Sequence, residues 1–182
     1  MASAVRVTQE GFAALVEGDA GAELGAAVDS VRAPRQVIEL ERAGARATCW
    51  VGEGIHLLLV PEQPGWFGAF VLDDRELPLA LLRAVGAQEP VETADAAITT
   101  GAGELAHALA RAARGDEGRD ELGRALEGLR SHWRASDGET AVEVVETGSR
   151  AFAVEPDGDT VRLRPVDAAG IYDAMTRELL HA

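Results

Sequence analysis

The sequence predicts an α+β protein built from two pseudo-symmetric antiparallel β-β-β-α units with an inserted helical hairpin. Three observations lead to this expectation. Runs that alternate like strands are interleaved with runs at helical spacing. Short segments rich in Gly, Pro and Asp separate these runs, as turns do. Two stretches also align when the chain is shifted by 94 residues.

The length of 182 residues favours a single domain, 1–182. We divide it into four segments according to the pattern of the sequence. They are the N-terminal helices (1–34), the first β/α unit (35–86), a linker and helical hairpin (87–138), and the second β/α unit (139–182).

In the first half, Thr8 is placed to cap a short helix whose apolar face contains Phe12 and Leu15. A second helix is predicted over 20–31, and Pro34 stops it. Partial alternation with Val and Ile then predicts strands. The strands cover 36–42, 45–51, 55–60 and 66–72, and a helix through Leu77, Leu81 and Val85 follows Asp73.

In the second half, 87–103 has no clear period and is interpreted as a connector. A helix is predicted over 104–114, and a second over 117–134. In the second helix, apolar residues recur every three or four positions, which is typical of a seam that packs on another helix. These seam residues are Leu122, Leu126, Leu129 and Trp133. Strands over 140–146, 150–155 and 160–165 follow, with a last helix that Asp167 caps.

The shift by 94 residues aligns 47–85 with 141–179 without a gap. It places Gly54 on Gly148 in a turn and Asp73 on Asp167 at a helix N-terminus, where a carboxylate accepts backbone N–H bonds. The identical pairs are Ala47/Ala141, Val51/Val145, Gly54/Gly148, Val60/Val154, Asp73/Asp167, Ala80/Ala174 and Arg83/Arg177. We interpret the repeat as a duplication.

The composition argues against several functions. A formal charge of -14 opposes binding to nucleic acid or to anionic lipid. All 17 basic residues are Arg, so the chain has no Lys for a Schiff base or a P-loop. The single Cys49 suggests a reducing compartment, and no export signal or membrane-length apolar run is seen. We therefore expect a cytoplasmic protein that binds neither membranes nor nucleic acid.

The chemistry-bearing residues form no recognisable catalytic, cofactor-binding or metal motif. His56, His107, His132 and His181 lack ligand spacing, and Cys49 has no cysteine partner. The carboxylates are scattered over predicted helix faces and turns. We therefore predict no enzymatic activity, no cofactor and no metal.

Five residues are candidates for contact with a protein partner. Trp66, Phe67 and Phe70 cluster in one strand of a chain that is only 4% aromatic. Either helices cover both faces of this strand, or one aromatic face meets a partner. Leu126 and Trp133, in the predicted helical seam, leave the same two alternatives open.

The segment 144–169, VVETGSRAFAVEPDGDTVRLRPVDAA, resembles the end of the EspG family. It contains a glycine-arginine strand, an Asp-Gly hairpin, a strand ending in Pro and a helix start. The first half, from 36–42 to the helix after Asp73, looks similar to the family as well. Relative to that family, we expect the opening strand and helix to be absent and the second half to lack a strand that matches 36–42.

The resemblance implies a cytosolic chaperone of actinobacterial type VII (ESX) secretion. It implies pseudo-twofold α+β halves and binding of a helical substrate, PE–PPE-like or WXG-like, through the central sheet and later helices. Two alternatives remain open. One is an enzyme or small-molecule binder with a cleft between the halves, and the other is an orphan homodimeric scaffold.

Overall fold

A computed structural model describes residues 3–18, 21–87, 96–116 and 118–180. Within these ranges the chain is a mixed α+β fold with one ten-stranded antiparallel sheet and six helices. The strands are β1 Ser3–Thr8, β2 Gln36–Arg42, β3 Ala45–Val51, β4 Ile55–Gln63, β5 Trp66–Asp73, β6 Ile98–Gly101, β7 Ser131–Ser136, β8 Ala141–Glu146, β9 Ala151–Asp157 and β10 Thr160–Val166. The helices are α1 Gln9–Glu17, α2 Gly21–Arg32, α3 Leu77–Ala84, α4 Ala102–Ala112, α5 Glu121–Ala125 and α6 Ala168–Leu179.

The strand order across the sheet is β1-β5-β4-β3-β2-β7-β8-β9-β10-β6. The first five strands of this order come from the first half of the chain and the last five from the second. The halves meet where β2 pairs with β7, with Leu40 opposite Ala135 and Glu41 opposite Arg134. The backbone ladder therefore continues across the middle of the molecule.

Helices pack on both faces of the sheet. Neighbouring residues of a strand point to opposite faces, so each strand places apolar side chains on both sides and both sides need cover. On one face, Leu58 and Ala135 pack in a core with Leu81 of α3 and Met175 of α6. On the other face, α1 and α2 cover Leu57 and its neighbours in the first half. The helices α4 and α5 cover the equivalent face of the second half, around Phe152.

Two of the three proposed helix caps lie at the predicted positions. The Oγ1 of Thr8 accepts a bond from the Gly11 N–H at 3.0 Å and begins α1. Asp167 accepts from the Gly170 N–H at 2.8 Å and begins α6. Asp73 instead accepts from the backbone N–H groups of the next turn, and Glu76 occupies the N-cap position of α3.

The predicted helix over 117–134 is wrong for most of its length. Residue 117 lies outside the described ranges, and α5 ends at Ala125. Gly128 then adopts a positive φ of 69°, which ends the helical path and turns the chain toward the sheet. Trp133 belongs to β7, whose burial alternates strictly, so the period of 2 and pairing with β2 and β8 override the helical spacing.

Two further strands were not predicted. The connector assigned to 87–103 contains β6, which pairs with β10, and residues 88–95 lie outside the described ranges. The chain also opens with β1, which pairs with β5. The expectation of no opening strand is therefore wrong, since β1 is present. The second half also contains a strand, β7, at the positions to which a shift of 95 carries β2.

The predicted gapless repeat, with one shift of 94 residues, is also wrong for the strands. Val51 packs in the core under α3 and α6, whereas Val145, its partner at a shift of 94, packs in the core under α4 and α5. Equivalent residues of two related sheet units must lie on the same face, so an even shift cannot relate these two strands.

None of the helices in the described ranges is long and apolar enough to span a bilayer.

Leu81 and Leu79 of α3 provide a matched pair for testing the central core. Leu81 is fully buried and Leu79 is 47% exposed. We expect Leu81→Ala to lower the free energy of unfolding by about 2–5 kcal/mol, because it leaves a cavity. Leu79→Ala should change it by less than about 0.5 kcal/mol. Urea denaturation measures both; equal effects would contradict the placement of α3.

Candidate functional site

Among the residues that the structure describes, no helix packs on the middle of the sheet on the face that carries α1, α2, α4 and α5. We call this surface the central strip. The helix α2 packs on β3 and β4, and α4 packs on β6 and β10, so the two helix groups are separated by the central strands. The strip consists of Val37, Glu39 and Glu41 of β2 with His132, Arg134 and Ser136 of β7.

The residues of the strip lie on one face of β2 and β7. The residues that alternate with them lie on the other face and are buried under α3 and α6. Leu40 and Ala135 are 2% and 0% exposed on the opposite face, whereas Glu39 and Arg134 are exposed. Two concave regions extend along it, of about 990 Å³ at the end near Arg46 and about 480 Å³ near Val37. The strip is therefore a groove with a charged floor.

Ion pairs cross the floor of the groove. Arg46 of β3 pairs with Glu41 and lies 3.6 Å from a carboxylate oxygen of Glu39. The Glu41 hydrogen bond and the charges of both glutamates raise the pKa of Arg46. His132 and Glu143 are joined by a 2.7 Å contact between Nε2 and Oε1. Exposed pairs of this kind contribute little to folding stability, so these charges remain available for a partner.

The aromatic residues of β5 are divided between the two faces. Phe67 packs with the α1–α2 core and Phe70 with the α3–α6 core, both half-buried. Phe70 also lies over Gly68, where an added Cβ would be 2.9 Å from its ring. Helices therefore cover both faces of this strand, and only Trp66, at 40%, exposes a large part of its ring.

Leu126 and Trp133 are not accessible for a partner in this structure. Leu126 is 0% exposed and packs in the α4–α5 core. Trp133 is 1% exposed on the opposite face of the sheet, and its indole N–H donates to Glu146 at 3.2 Å. The helical seam that suggested them as a pair does not form, and the structure does not bring the five aromatic and seam candidates together.

A second feature, which we call the His56 cleft, lies on the α3–α6 face where β2 begins and β3 ends. It measures about 670 Å³ and is lined by residues from both halves. His56 is 1% exposed, and its Nε2 is 3.0 Å from Oδ1 of Asp74. Sequence analysis found no partner for His56 because Asp74 lies 18 residues away and approaches it only through β4–β5 pairing.

The second nitrogen of His56, Nδ1, is buried and has no hydrogen-bond partner among the described residues. A buried acceptor without a donor costs about 1–3 kcal/mol. Burial lowers the pKa of His56 more than the neighbouring charge of Asp74 raises it. The imidazole is therefore neutral at neutral pH, with its N–H directed at Asp74.

The other candidate residues remain apart. His107 is exposed on α4, and His132 lies on a strand; His181 lies outside the described residues. Cys49 is fully buried, and burial raises the pKa of its thiol to about 12, so it is not poised as a nucleophile. In the described ranges no group of three His, Cys, Asp or Glu side chains could hold a metal ion.

Comparison of the sequence with protein-family models and with curated proteins returns no match.

His56 should make folding stability depend on pH. Its pKa is lower in the folded state, so the unfolded chain takes up the proton first as the pH falls below about 6.5. Stability present above that pH is lost on acidification, at no more than about 1.4 kcal/mol per pH unit. We expect His56→Gln to flatten the slope of unfolding free energy between about pH 7 and 5.5.

His107→Gln, which removes an exposed imidazole on α4, serves as the control variant. Urea denaturation at a series of pH values measures both variants. A slope that His56→Gln leaves unchanged would contradict the buried, neutral state of His56.

Proposed function

We propose that this protein is a cytoplasmic chaperone or adaptor that binds a helical substrate of a type VII (ESX) secretion system. The substrate is PE–PPE-like or WXG-like, and its helix lies in the groove above the central strip. The observation that carries the proposal is the open strip itself. Within the described part of the chain, it is the portion of this sheet face on which no helix packs.

The dimensions of the groove suit one helix. Neighbouring strands lie about 4.8 Å apart, so β3, on which α2 packs, and β8, whose Val145 packs under α4 and α5, lie about 14 Å apart. An α-helix with its side chains is about 10–12 Å wide. A single helix could therefore occupy the space between the α1–α2 and α4–α5 pairs, with the floor charges of Glu39, Glu41 and Arg134 beneath it.

The symmetry expected from the EspG resemblance is supported by the strand order. When β1 changes places with β6, β2 with β7, and so on up to β5 with β10, the result is the observed strand order read from the opposite edge of the sheet. We propose that each half is a β-α-α-β-β-β-β-α unit, longer than the predicted β-β-β-α block. A pseudo-twofold axis passes between Leu40 and Ala135, through the middle of the central strip.

The strand registers and burial patterns support three slightly different sequence offsets between the two halves, in place of the single offset of 94 residues. A shift of 95 carries the buried Ile38 and Leu40 onto Trp133 and Ala135. A shift of 94 carries α3 onto α6 with its three buried positions, and a shift of 93 carries α1 onto α4. The matched positions are Cys49/Val144, Leu77/Ile171, Leu81/Met175, Val85/Leu179, Phe12/Leu105 and Leu15/Ala108.

An alternative function, that of an enzyme or small-molecule binder, draws on one observation. The His56 cleft is lined by both halves and holds a buried histidine beside a carboxylate. We favour protein binding as the main function because the central strip is larger than the His56 cleft and lies on the proposed pseudo-twofold axis. We propose no catalytic step.

Charge reversal in the strip tests the proposal. We expect the double variant Glu39→Arg/Glu41→Arg to weaken binding at least about tenfold, because it replaces two groove-floor carboxylates and breaks the pairs with Arg46. Binding is measured by gel filtration and calorimetry with helical proteins encoded beside this gene. Thermal unfolding shows whether each variant is folded.

Glu155→Arg is the matched control. Glu155 is a strand carboxylate of similar exposure, paired with Arg164 on the opposite face. It should leave binding unchanged. Equal weakening by the control, or no complex with any neighbouring helical protein, would contradict the proposal.

A further inference from the structure

The strand β1 forms one edge of the sheet, and no other strand of the described ranges pairs with its outer side. In an antiparallel strand, every second residue directs its N–H and C=O groups away from the neighbouring strand. Unpaired groups of this kind are a ready template for a further strand. The edge of β1 is therefore a line of backbone donors and acceptors along Ser3–Thr8.

This edge lacks several features that commonly keep an edge strand from pairing, which are Lys, Pro, a bulge or a very short length. The sequence of β1, SAVRVT, contains neither Lys nor Pro. All six residues pair with β5 in one register. The strand β6, at the opposite edge of the sheet, has only four residues. The two edges therefore differ, since β6 is short and β1 offers a full-length template.

The single charge of β1 is already balanced within the chain. Arg6 lies opposite Gly68 of β5, and its Nε is 2.7 Å from Oε2 of Glu62 in β4. Gly68 leaves room for this pair, because an added Cβ would lie 2.9 Å from Oε1 of Glu62. The guanidinium of Arg6 is therefore directed across β5 toward β4, away from the open edge.

An apolar surface lies beside the edge, on the face that carries α1 and α2. Val5 is 42% exposed. It also lines a cavity of about 30 Å³ whose walls include Val7, Phe12 and Leu15 and are apolar throughout. Val5 therefore stands between this cavity and the solvent. An apolar side chain on an added strand would cover it and stabilise the pairing.

A second copy of β1 fits this edge in a register that symmetry restricts. A twofold axis perpendicular to the sheet keeps each side chain on its own face, so a residue pairs with itself or with one an even number of positions away. The registers that pair most of Ser3–Thr8 place either Val5 opposite Val5 or Arg6 opposite Arg6. Like charges directly opposite each other are unfavourable, which selects Val5.

We propose that two copies of this chain associate through their β1 strands, which pair antiparallel with Val5 opposite Val5. The pairing repeats between copies the way in which β2 and β7 join the two halves within one copy. It involves neither β2 nor β7, so the central strip of each copy stays free. The proposal and its test therefore do not depend on the secretion-chaperone proposal.

Sedimentation equilibrium of the full chain measures the association. We expect the mass to approach twice that of the monomer as the concentration rises from micromolar to millimolar. Each copy carries a formal charge of -14, so salt, which screens the repulsion between copies, should strengthen the dimer. A monomer at every concentration would overturn the proposal, even one whose β1 amides are protected from exchange by another segment of the chain. A dimer that salt weakens, as it weakens ion pairs, would overturn it too.

Val5→Lys tests whether β1 is the surface that pairs. We expect it to raise the dissociation constant of the dimer at least about tenfold, because a Lys on an edge strand opposes strand addition. Leu79→Lys is the matched control, since Leu79 is an apolar residue of similar exposure, 47%, on α3. It should dimerise as the parent chain does. Equal weakening by both changes, or none by Val5→Lys, contradicts the proposal.

Cysteine trapping tests the register and applies even if Val5→Lys fails to fold. Directly opposed residues of antiparallel strands have Cα atoms about 4.5–5.5 Å apart, within the range of a disulfide. In the proposed register, the two Cα atoms of Arg6→Cys would lie about 8 Å apart, which is too far. Under mild oxidation we expect Val5→Cys to form a disulfide-linked dimer and Arg6→Cys to remain unlinked; the native Cys49 is fully buried. Linkage of Arg6→Cys to an equal extent, or of neither variant, rules out this pairing.

Discussion

The pairing of β2 with β7 is the constraint on which the rest of the structure depends. The edge of a sheet presents unpaired backbone N–H and C=O groups, and here the inner edges of the two halves, β2 and β7, pair with each other. The pairing brings Leu40 and Ala135 together in one core and leaves Glu41 and Arg134 facing the other way. It thereby forms both a shared core and the open central strip.

The two faces of the sheet are covered differently because of this junction. On one face, α3 and α6 pack side by side across the junction, and the core that they cover is continuous from Leu58 to Val144. On the other face, the helices stay with their own halves and leave two separate cores. The strip lies between these cores, and the His56 cleft lies at one end of the continuous core.

Much of the fold could be predicted from local patterns. The strands β2 and β3 begin and end at the predicted residues, because alternation and the Ala43–Gly44 turn are local signals. The cap of α6 at Asp167 is equally local. The strand β7 could not be found in this way, because its Leu-to-Trp spacing also fits a helix. Pairing with β2 and β8 makes the strand more stable than a helix over the same residues.

The functional features depend on contacts that are distant in sequence. The central strip exists because β2 meets β7, strands about 90 residues apart, so no local pattern reveals it. The alternation His132-Trp133-Arg134-Ala135 is the one signal that could have marked its second strand. Aromatic residues drew attention to β5, but helices cover most of that strand, and the open surface is charged.

Cross-strand backbone NOEs test the β2–β7 junction most directly. In the isotope-labelled protein, the account predicts NOEs between the backbones of Leu40 and Ala135 and of Arg42 and Trp133, in antiparallel register. Absence of these NOEs, together with helical NOEs through Trp133, would contradict the continuous sheet and the strip built on it.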